Sequence, residues 1–266
     1  MYSDENYSLY KRIKQINESI PTTVLGGSPL EKCFIMAYLF KKLGFYNYVE
    51  IGVYRGKSLF QLATAVKDNG GKALGIDPFK NSLVYEEDAS EDLKEKIITA
   101  LTSESFDDIY NDVLCFIKQF GFDNTVSIIR DTSINAIEIL KKNNIQIDML
   151  HIDGNHDEFY VREDVKTYIP FVKKNGLIIF DDIDWPSVRK VYEESKSDFP
   201  SVYETETIGI LAKTDSNSDN ISGFNLQKEY VNEAVFLLKK YSNILDPIDL
   251  VILDNILLYS NNKKNE

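Results

Sequence analysis

The architecture of this chain is set by Glu50-Ile51-Gly52-Val53-Tyr54-Arg55-Gly56-Lys57-Ser58 and by Gly75-Ile76-Asp77. The first run leads an apolar strand into a Gly-x-x-x-Gly turn and a helix, and the second ends another strand on an acid. Glycines let the backbone turn tightly against a ligand, and a helix start offers unpaired N–H groups. Asp77 follows Gly52 at the separation expected when one helix joins two adjacent parallel strands, where an acid can bind a ribose. We therefore expect an adenosine-containing ligand at the edge of a parallel sheet.

The spacing of the glycines argues against two other nucleotide-binding motifs. Tyr54 stands where the dinucleotide pattern Gly-x-Gly-x-x-Gly has its second glycine, which lets a pyrophosphate approach closely. The P-loop pattern Gly-x-x-x-x-Gly-Lys-Ser/Thr does not occur in the sequence. A nicotinamide-dependent reductase is therefore the weakest interpretation of this turn.

Composition narrows the class of protein. With 266 residues and 43% hydrophobic content, the chain can bury one large core, or one core and a small appendage. Its net charge of −12 disfavours nucleic acid and anionic membranes as partners. Without an apolar run of membrane-spanning length or a signal peptide at the start, we expect a cytoplasmic protein with no membrane partner. Cys33 and Cys115 fall in predicted helices with apolar neighbours, which predicts buried free thiols.

Helices and strands alternate along the chain. We predict strands at about 48–52, 73–77, 126–130, 147–152 and 176–181, with a late strand at 208–211. Helices are expected at 7–19 and 29–43, the second capped by Ser28 with Pro29 in its first position, and after the strands near Ser58, Ile134, Glu158 and Pro186. Short apolar strands that alternate with helices predict an α/β fold, a parallel sheet covered on both faces.

Three parts of the chain are expected. Residues 1–46 form an N-terminal helical segment, residues 47–213 the ligand-binding core, and residues 214–266 a C-terminal helical extension with two apolar-faced helices. Residues 78–125 are a helical insertion longer than a simple crossover needs, with helical spacing over 104–120. This insertion is either a surface helix packed on the sheet or a substrate lid. The terminal helices are candidates for a homo-oligomer contact.

Acidic residues end two neighbouring strands of the predicted sheet. His151-Ile152-Asp153-Gly154-Asn155-His156-Asp157 closes the fourth strand, and Phe180-Asp181-Asp182 closes the fifth. Carboxylates that meet above the sheet repel one another unless a cation is present, and oxygen ligands suit Mg²⁺, with Mn²⁺ or Ca²⁺ as alternatives. The alternative is structural, with Asp181 and Asp182 capping the next helix and Asp153 holding a turn.

Taken together, these motifs resemble one family of class I S-adenosylmethionine-dependent methyltransferases. It includes metal-dependent O-methyltransferases that modify sugars and other hydroxylated natural products, and the resemblance covers about residues 47–212. It implies a Rossmann-like fold with a seven-stranded, mostly parallel sheet of order 3-2-1-4-5-7-6 and helices on both faces. It also implies that Asp153, Asp181 and Asp182 bind Mg²⁺. The residues implied for S-adenosylmethionine are Glu50, Gly52, Tyr54, Gly56, Ser58, Asp77 (ribose), Asp131 (adenine), Thr132 and Asp153.

One position departs from the family's pattern. Relatives usually read Asp-Gly-Asp-His, with the second Asp as general base, whereas this chain has Asn155, whose neutral amide cannot accept a proton. His156 or Asp157 is the expected substitute, since an ordinary histidine pKa near 6.5 suits proton removal at neutral pH. Alternatively, His156 orients a metal ligand and Asp157 caps a helix. His151, within the strand, is expected to be a buried hydrogen-bonding residue.

The expected function is Mg-assisted O-methylation of a small hydroxylated acceptor, either sugar-like or phosphorylated, with S-adenosylmethionine as methyl donor. Two other interpretations stay open. One is a non-catalytic S-adenosylmethionine-binding relative that lost its base at Asn155, and the other is a metal-dependent phosphohydrolase. The second has no use for the glycine turn.

Overall fold

A single mixed sheet organises the chain. The computed structural model describes residues 4–21, 27–83, 86–214 and 220–242. In these ranges seven strands lie in the order β3-β2-β1-β4-β5-β7-β6. The strands are β1 Asn47–Ile51, β2 Lys72–Ile76, β3 Val126–Ile129, β4 Ile147–Ile152, β5 Val172–Phe180, β6 Ser201–Glu204 and β7 Gly209–Ala212. Strands β1 to β5 pair in parallel, and β7 is antiparallel to both β5 and β6, as the predicted fold requires.

Helices cover both faces of this sheet. They are α1 Glu5–Ser19, α2 Leu30–Lys42, α3 Lys57–Asp68, α4 Glu91–Ser103, α5 Phe106–Gln119, α6 Ser133–Lys142, α7 Glu158–Tyr168, α8 Pro186–Ser195 and α9 Asn220–Ser242. Successive strand residues join different apolar clusters, Met149 with the helices α1, α2, α3, α5 and α9, and Leu150 with α6, α7 and α8. Because side chains alternate across a strand, the two clusters lie on opposite faces of the sheet.

Helix α2 is buried on nearly every side. Its residues from Lys32 to Phe40 are all buried, since α1, α3 and α9 pack around it. The helix begins at Leu30, and Pro29 holds the capping position without a side-chain hydrogen bond, so the predicted Ser28 cap is wrong. Residues of α1 and α2 share one apolar cluster with Met149 and other strand residues, so both helices pack on the same face of the sheet.

Residues 78–125 contain two helices, whereas the sequence predicted one. Helix α5 is capped by Ser105 and lies against the α2 and α3 side of the sheet. Of the six apolar residues predicted to face the core, it buries four and leaves two, Tyr110 and Phe120, partly exposed. Helix α4 was not predicted. Cys33 is a buried free thiol, but Cys115 lies on the exposed face of α5, so the prediction that both are buried is wrong for Cys115.

The C-terminal part differs from the sequence prediction in two ways. Strand β6, four residues with a mixed polar and apolar pattern, was missed. The expected pair of helices over 224–262 is one helix, α9, within the described residues, and the second expected helix lies outside them.

Among the described helices, none combines the length and apolar character that crossing a membrane requires.

Candidate active site

The glycine turn between β1 and α3 is built from residues in left-handed conformations. Gly52, Tyr54 and Gly56 have φ values of 87°, 47° and 76°. A Cβ atom on Gly52 would lie 1.7 Å from the carbonyl oxygen of Asp153, so this glycine lets the ends of β1 and β4 approach each other. Gly56 is the N-cap of α3, and no side chain caps that helix. Helix α3 therefore begins directly in the turn, and its N-cap residue supplies no side-chain acceptor to the start of the helix.

Asp77, at the end of β2, holds the turn in place. Its Oδ2 accepts hydrogen bonds from the backbone N–H groups of Val53 (2.9 Å) and Tyr54 (2.8 Å), and its Oδ1 accepts one from Phe79 (2.7 Å). Burial raises the pKa of Asp77, while these three bonds lower it in part. A carboxylate offers about four lone-pair sites, so roughly one remains for a ligand.

Glu50 and Ser58 face the interior of the protein. Glu50 has no solvent exposure, and its Oε1 accepts a hydrogen bond from the Ser58 hydroxyl at 2.7 Å. Its Oε2 accepts one from the Tyr48 hydroxyl and lies 3.3 Å from His151 Nδ1. Glu50 therefore positions its neighbours beneath the turn, and the structure shows no surface through which it could touch a ligand directly. His151 is buried and hydrogen-bonded, as its place within the strand predicts.

Asp131 and Thr132 form the N-terminal cap of α6. The Thr132 hydroxyl and the Asp131 carboxylate both bind Asn135, the first through its backbone N–H and the second through its side-chain amide. Asp131 is exposed at the carboxyl end of β3. Its predicted role at the adenine stays a prediction.

The acids at the ends of β4 and β5 include a partner that the sequence did not suggest. Lys32 of α2 forms an ion pair with Asp181, and the two side chains are only 6% and 8% exposed. Burial would lower the pKa of Lys32, but Asp181 and Asp153 raise it, so Lys32 is a cation at neutral pH. Burial would likewise raise the pKa of Asp181, but Lys32 and then His151 hold it below its usual range. The one signal in the sequence is a lysine directly before the apolar run from Cys33 to Phe40.

The three carboxylates predicted to bind Mg²⁺ do not form one cluster. Within the described ranges, two three-residue groups have ligand atoms within 4.8 Å of one another: His151 with Asp153 and Asp181, and Asp153 with His156 and Asp182. Asp182 has a left-handed backbone (φ 50°). Its side chain belongs to the group with Asp153 and His156, whereas the Asp181 side chain belongs to the group with His151 and Asp153. Asp181 is also engaged by Lys32 and by the N–H of Asp182. The predicted three-carboxylate Mg²⁺ site therefore does not fit this arrangement.

His156 lies between two carboxylates. Its Nδ1 is 2.6 Å from Glu86 Oε1, its Nε2 is 3.1 Å from Asp182 Oδ2, and its ring stacks on Trp185 at 4.5 Å between centroids. Burial opposes the charged form, but hydrogen bonds to Asp182 and Glu86 raise the pKa of His156 well above its usual value. A protonated imidazole cannot accept a proton, so this geometry argues against His156 as a base at neutral pH.

Asn155 and Asp157 hold the loop that follows β4. Both oxygens of the buried Asp157 accept backbone hydrogen bonds, from Glu87 at 2.9 Å and Asp88 at 2.7 Å. The side-chain oxygen of Asn155 accepts the N–H of Asp157 at 2.9 Å. Asp157 is therefore the acceptor that fastens the insertion to this loop, and its burial argues against contact with a substrate hydroxyl. Its role was missed because the partners lie in the insertion, where no motif occurs.

Comparisons with known proteins identify the family of this chain. A family profile described as a methyltransferase domain matches residues 49–183. An uncharacterised protein of Acanthamoeba polyphaga mimivirus is 28% identical over 201 residues, which cover 73% of this chain and 78% of that protein. Caffeoyl-CoA O-methyltransferase of Stellaria longipes is 22% identical over 196 residues, 71% of this chain and 67% of that protein.

A solved structure shows the same fold. The O-methyltransferase TomG from Streptomyces achromogenes, involved in tomaymycin synthesis and determined in complex with S-adenosylmethionine, superposes with a TM-score of 0.53 and 15% identity. The alignment covers 80% of this chain and 92% of that one. The profile match spans half of the chain and includes both the glycine turn and the acidic ends of β4 and β5. The chain therefore belongs to the methyltransferase domain family.

Proposed function

We propose that this protein transfers a methyl group from S-adenosylmethionine to a hydroxyl oxygen of a small acceptor. The observation that carries the proposal is the glycine turn: an uncapped helix start joined to Asp77 within a methyltransferase domain. The names of the similar plant and Streptomyces proteins, both O-methyltransferases, support oxygen as the atom that receives the methyl group.

The residues around the turn fit such a donor. The first N–H groups of α3 suit its carboxylate, because a helix N-terminus binds anions. Asp77 has about one lone-pair site left for a ribose hydroxyl, and Asp131, at the neighbouring strand end, is assigned to the adenine. When bound, the donor supplies an electrophilic sulfonium methyl group. The chain must then align an acceptor oxygen with it, and good alignment contributes on the order of 7–11 kcal/mol.

The insertion is the element that we assign to acceptor binding. Between α4 and α5, in the middle of the insertion, Glu104 accepts a hydrogen bond from the Tyr54 hydroxyl at 2.5 Å and pairs with Arg55 at 3.2 Å. Near the start of the insertion, Glu86 binds His156. The insertion thus reaches from the glycine turn to the loop after β4, over the carboxyl edge of the sheet where ligands of open α/β folds bind. A sugar-like or phosphorylated hydroxylated molecule is the proposed acceptor.

Asp153 is the group that we assign to proton removal. Burial and the neighbouring Asp181 raise the pKa of Asp153 and so make its carboxylate a stronger base, while Lys32 and His151 lower that pKa and favour the charged form that can accept a proton. Its side chain is 20% exposed, whereas Asp181 is 8% exposed and ion-paired and Glu50 is fully buried. In this proposal Asn155, His156 and Asp157 position the loop. Mg²⁺ has no step in it, because the predicted ligands do not converge.

Isothermal calorimetry with S-adenosylmethionine and S-adenosylhomocysteine, in buffer containing a chelator, tests the donor site. We expect both to bind and NADH not to bind. Asp77→Ala should weaken binding by about tenfold or more, since hydrogen bonds to a charged group contribute about 1.5–3 kcal/mol. Asp123→Ala, on an exposed turn, is the matched control and should bind as the wild type does. No binding by the folded wild type would refute the donor site.

Because Asn155 stands where relatives have a base, the protein could bind S-adenosylmethionine without catalysing methyl transfer. A measurement of turnover distinguishes the enzyme from such a non-catalytic relative. A screen of hydroxylated acceptors with radiolabelled donor should give a methylated product, and Asp153→Asn should lower its rate while leaving donor affinity within about twofold. Donor binding without any methylated product would instead favour the non-catalytic relative.

A further inference from the structure

The acidic ends of β4 and β5 contain a ligand set to which the sequence assigned no complete role. His151, Asp153 and Asp181 have donor atoms within 4.8 Å of one another, and we call them the inner cluster. His151 Nε2 lies 3.4 Å from Asp181 Oδ2 and 4.0 Å from Asp153 Oδ2. This nitrogen is buried and has no hydrogen-bond partner among the described residues. One imidazole and two carboxylates are a ligand set that transition-metal ions accept.

A side chain of the protein already fills the place of a cation there. The Lys32 ammonium group contacts Asp181 Oδ2, the same oxygen that faces His151 Nε2. The other Asp181 oxygen accepts the N–H of Asp182 at 3.2 Å. A metal ion at Asp181 would therefore have to displace Lys32 or stand beside its positive charge in a buried site, where repulsion is screened weakly.

We infer that Lys32 is the resident cation of the inner cluster, and that this protein uses a lysine where a metal-dependent relative would use a divalent ion. Lys32 fixes Asp181 and leaves Asp153 as the exposed carboxylate of the cluster. The inference rests on the proposed methyl transfer for its catalytic meaning, but not for its test. It makes Lys32 a positioning residue whose charge replaces that of a metal ion.

Burial favours this assignment over a surface ion pair. A lysine is almost never fully buried without a partner, because desolvating an ammonium group is costly. Lys32 reaches Asp181 across 149 positions of sequence from the first turn of α2. Its neighbours on the helix, from Cys33 to Phe40, are buried and otherwise apolar. The lysine is therefore an isolated charge inside an apolar layer, directed at the inner cluster.

Mn²⁺ binding, measured from the electron paramagnetic resonance of the free ion, tests the inference. Lys32→Met removes the ammonium group and should raise Mn²⁺ affinity at least about tenfold, because His151, Asp153 and Asp181 then become available. Lys41→Met removes a lysine from the other end of the same helix, where it pairs with Asp68 and Glu5, and should leave Mn²⁺ affinity unchanged. Equal Mn²⁺ affinity in wild type and Lys32→Met would overturn the inference.

A second variant keeps the test decisive if Lys32→Met does not fold. Lys32→Met/Asp181→Asn removes both charges together and avoids a buried unpaired charge. Its Mn²⁺ affinity should equal that of the wild type, because Asp181 is not available to a metal in either protein. A fall of tenfold or more would show that Asp181 binds metal in the native protein and would overturn the inference. S-adenosylhomocysteine binding, measured separately in chelator, reports on the proposed function alone.

Discussion

At the scale of the residue, the site depends on how closely two strand ends approach. The backbone of Asp153 passes so near Gly52 that a side chain cannot fit between them. The same glycine carries a positive φ, as do Gly56 and the bulkier Tyr54. The Gly-x-x-x-Gly pattern was interpreted from sequence as space for a ligand. In the structure, Gly52 first makes space for the neighbouring strand, and this brings the glycine turn beside the carboxylates.

Comparing alanine substitutions at Gly52 and Gly70 distinguishes the cost of this steric overlap from the cost of a positive φ. Gly52→Ala should destabilise the protein by about 4 kcal/mol or more, because its Cβ would overlap the Asp153 carbonyl oxygen. Gly70 also has a positive φ (68°), but no atom lies within 4 Å of its Cβ position. Gly70→Ala should therefore cost only about 1–2 kcal/mol. Urea unfolding of both variants measures the difference, and similar losses would show that the contact with Asp153 is unimportant.

Residue types alone predicted where chemistry-bearing side chains occur, but not what they do. The ends of β2, β4 and β5 were located because continuous apolar runs end on acids. The partners were not predictable, since Glu86, Lys32 and the N–H groups that bind Asp157 lie far away in sequence and in no motif. Two expected bases, His156 and Asp157, consequently turned out to be engaged side chains.

At the scale of the element, the insertion is fastened to α7 by reciprocal hydrogen bonds. Asp157, the N-cap of α7, accepts the N–H groups of Glu87 and Asp88. Asp88 in return accepts the N–H of Glu158, the first residue of that helix, at 2.8 Å. Each side chain therefore satisfies donors of the other segment. These bonds hold the insertion and the loop after β4 together. The helix propensities of the two segments do not predict this contact.

Removing one side of this pair should release the insertion locally. Asp157→Ala leaves the N–H groups of Glu87 and Asp88 without their acceptor, so their hydrogen exchange should become at least about tenfold faster. Exchange in β4 and β5 should change little, because these strands are protected by the core. Asp92→Ala, an exposed acid in the first turn of α4, serves as control. Unchanged exchange at residues 87 and 88 would mean that other contacts hold the loop.

Elements were predicted well where burial dominates and poorly where it does not. The five parallel strands were found within a few residues, because buried parallel strands are continuous apolar runs. Strand β6 was missed because it has only four residues, of which one is buried, and so carries too little periodicity. Helix α4 lies in an insertion whose length was recognised but whose division into two helices was not.

At the scale of the whole molecule, the two described ends of the chain meet on one face of the sheet. Helices α1, α2 and α9 share an apolar cluster, and the Tyr241 hydroxyl donates to Asp4 Oδ2 at 2.7 Å. Asp4 also caps α1 through its other oxygen. The described parts of the terminal segments are thus built into the core layer, which covers the face of the sheet from which Lys32 reaches the site.

This closure should contribute measurably to stability. Tyr241→Phe removes the bond between α9 and Asp4 and should lower the free energy of unfolding by about 0.5–1.5 kcal/mol. Tyr160→Phe, at a tyrosine that is 40% exposed on α7, is the matched control and should change stability by less than about 0.5 kcal/mol. Urea unfolding measures both variants. Equal effects would indicate that the contact between the chain ends does not stabilise the fold.

Lys32 comes from α2, a helix that precedes the first strand of the methyltransferase domain, whereas Asp181 ends a strand inside it. The positive charge of Lys32 and the negative charge of Asp181 are thus encoded in two separate parts of the gene, which can mutate independently. Under the inferred role of Lys32, a single codon change on α2 would remove the cation of the inner cluster while every motif of the domain stays intact. The motifs of the domain alone therefore do not report which cation neutralises the inner cluster of this chain, because the inferred cation, Lys32, lies on the helix that covers the domain.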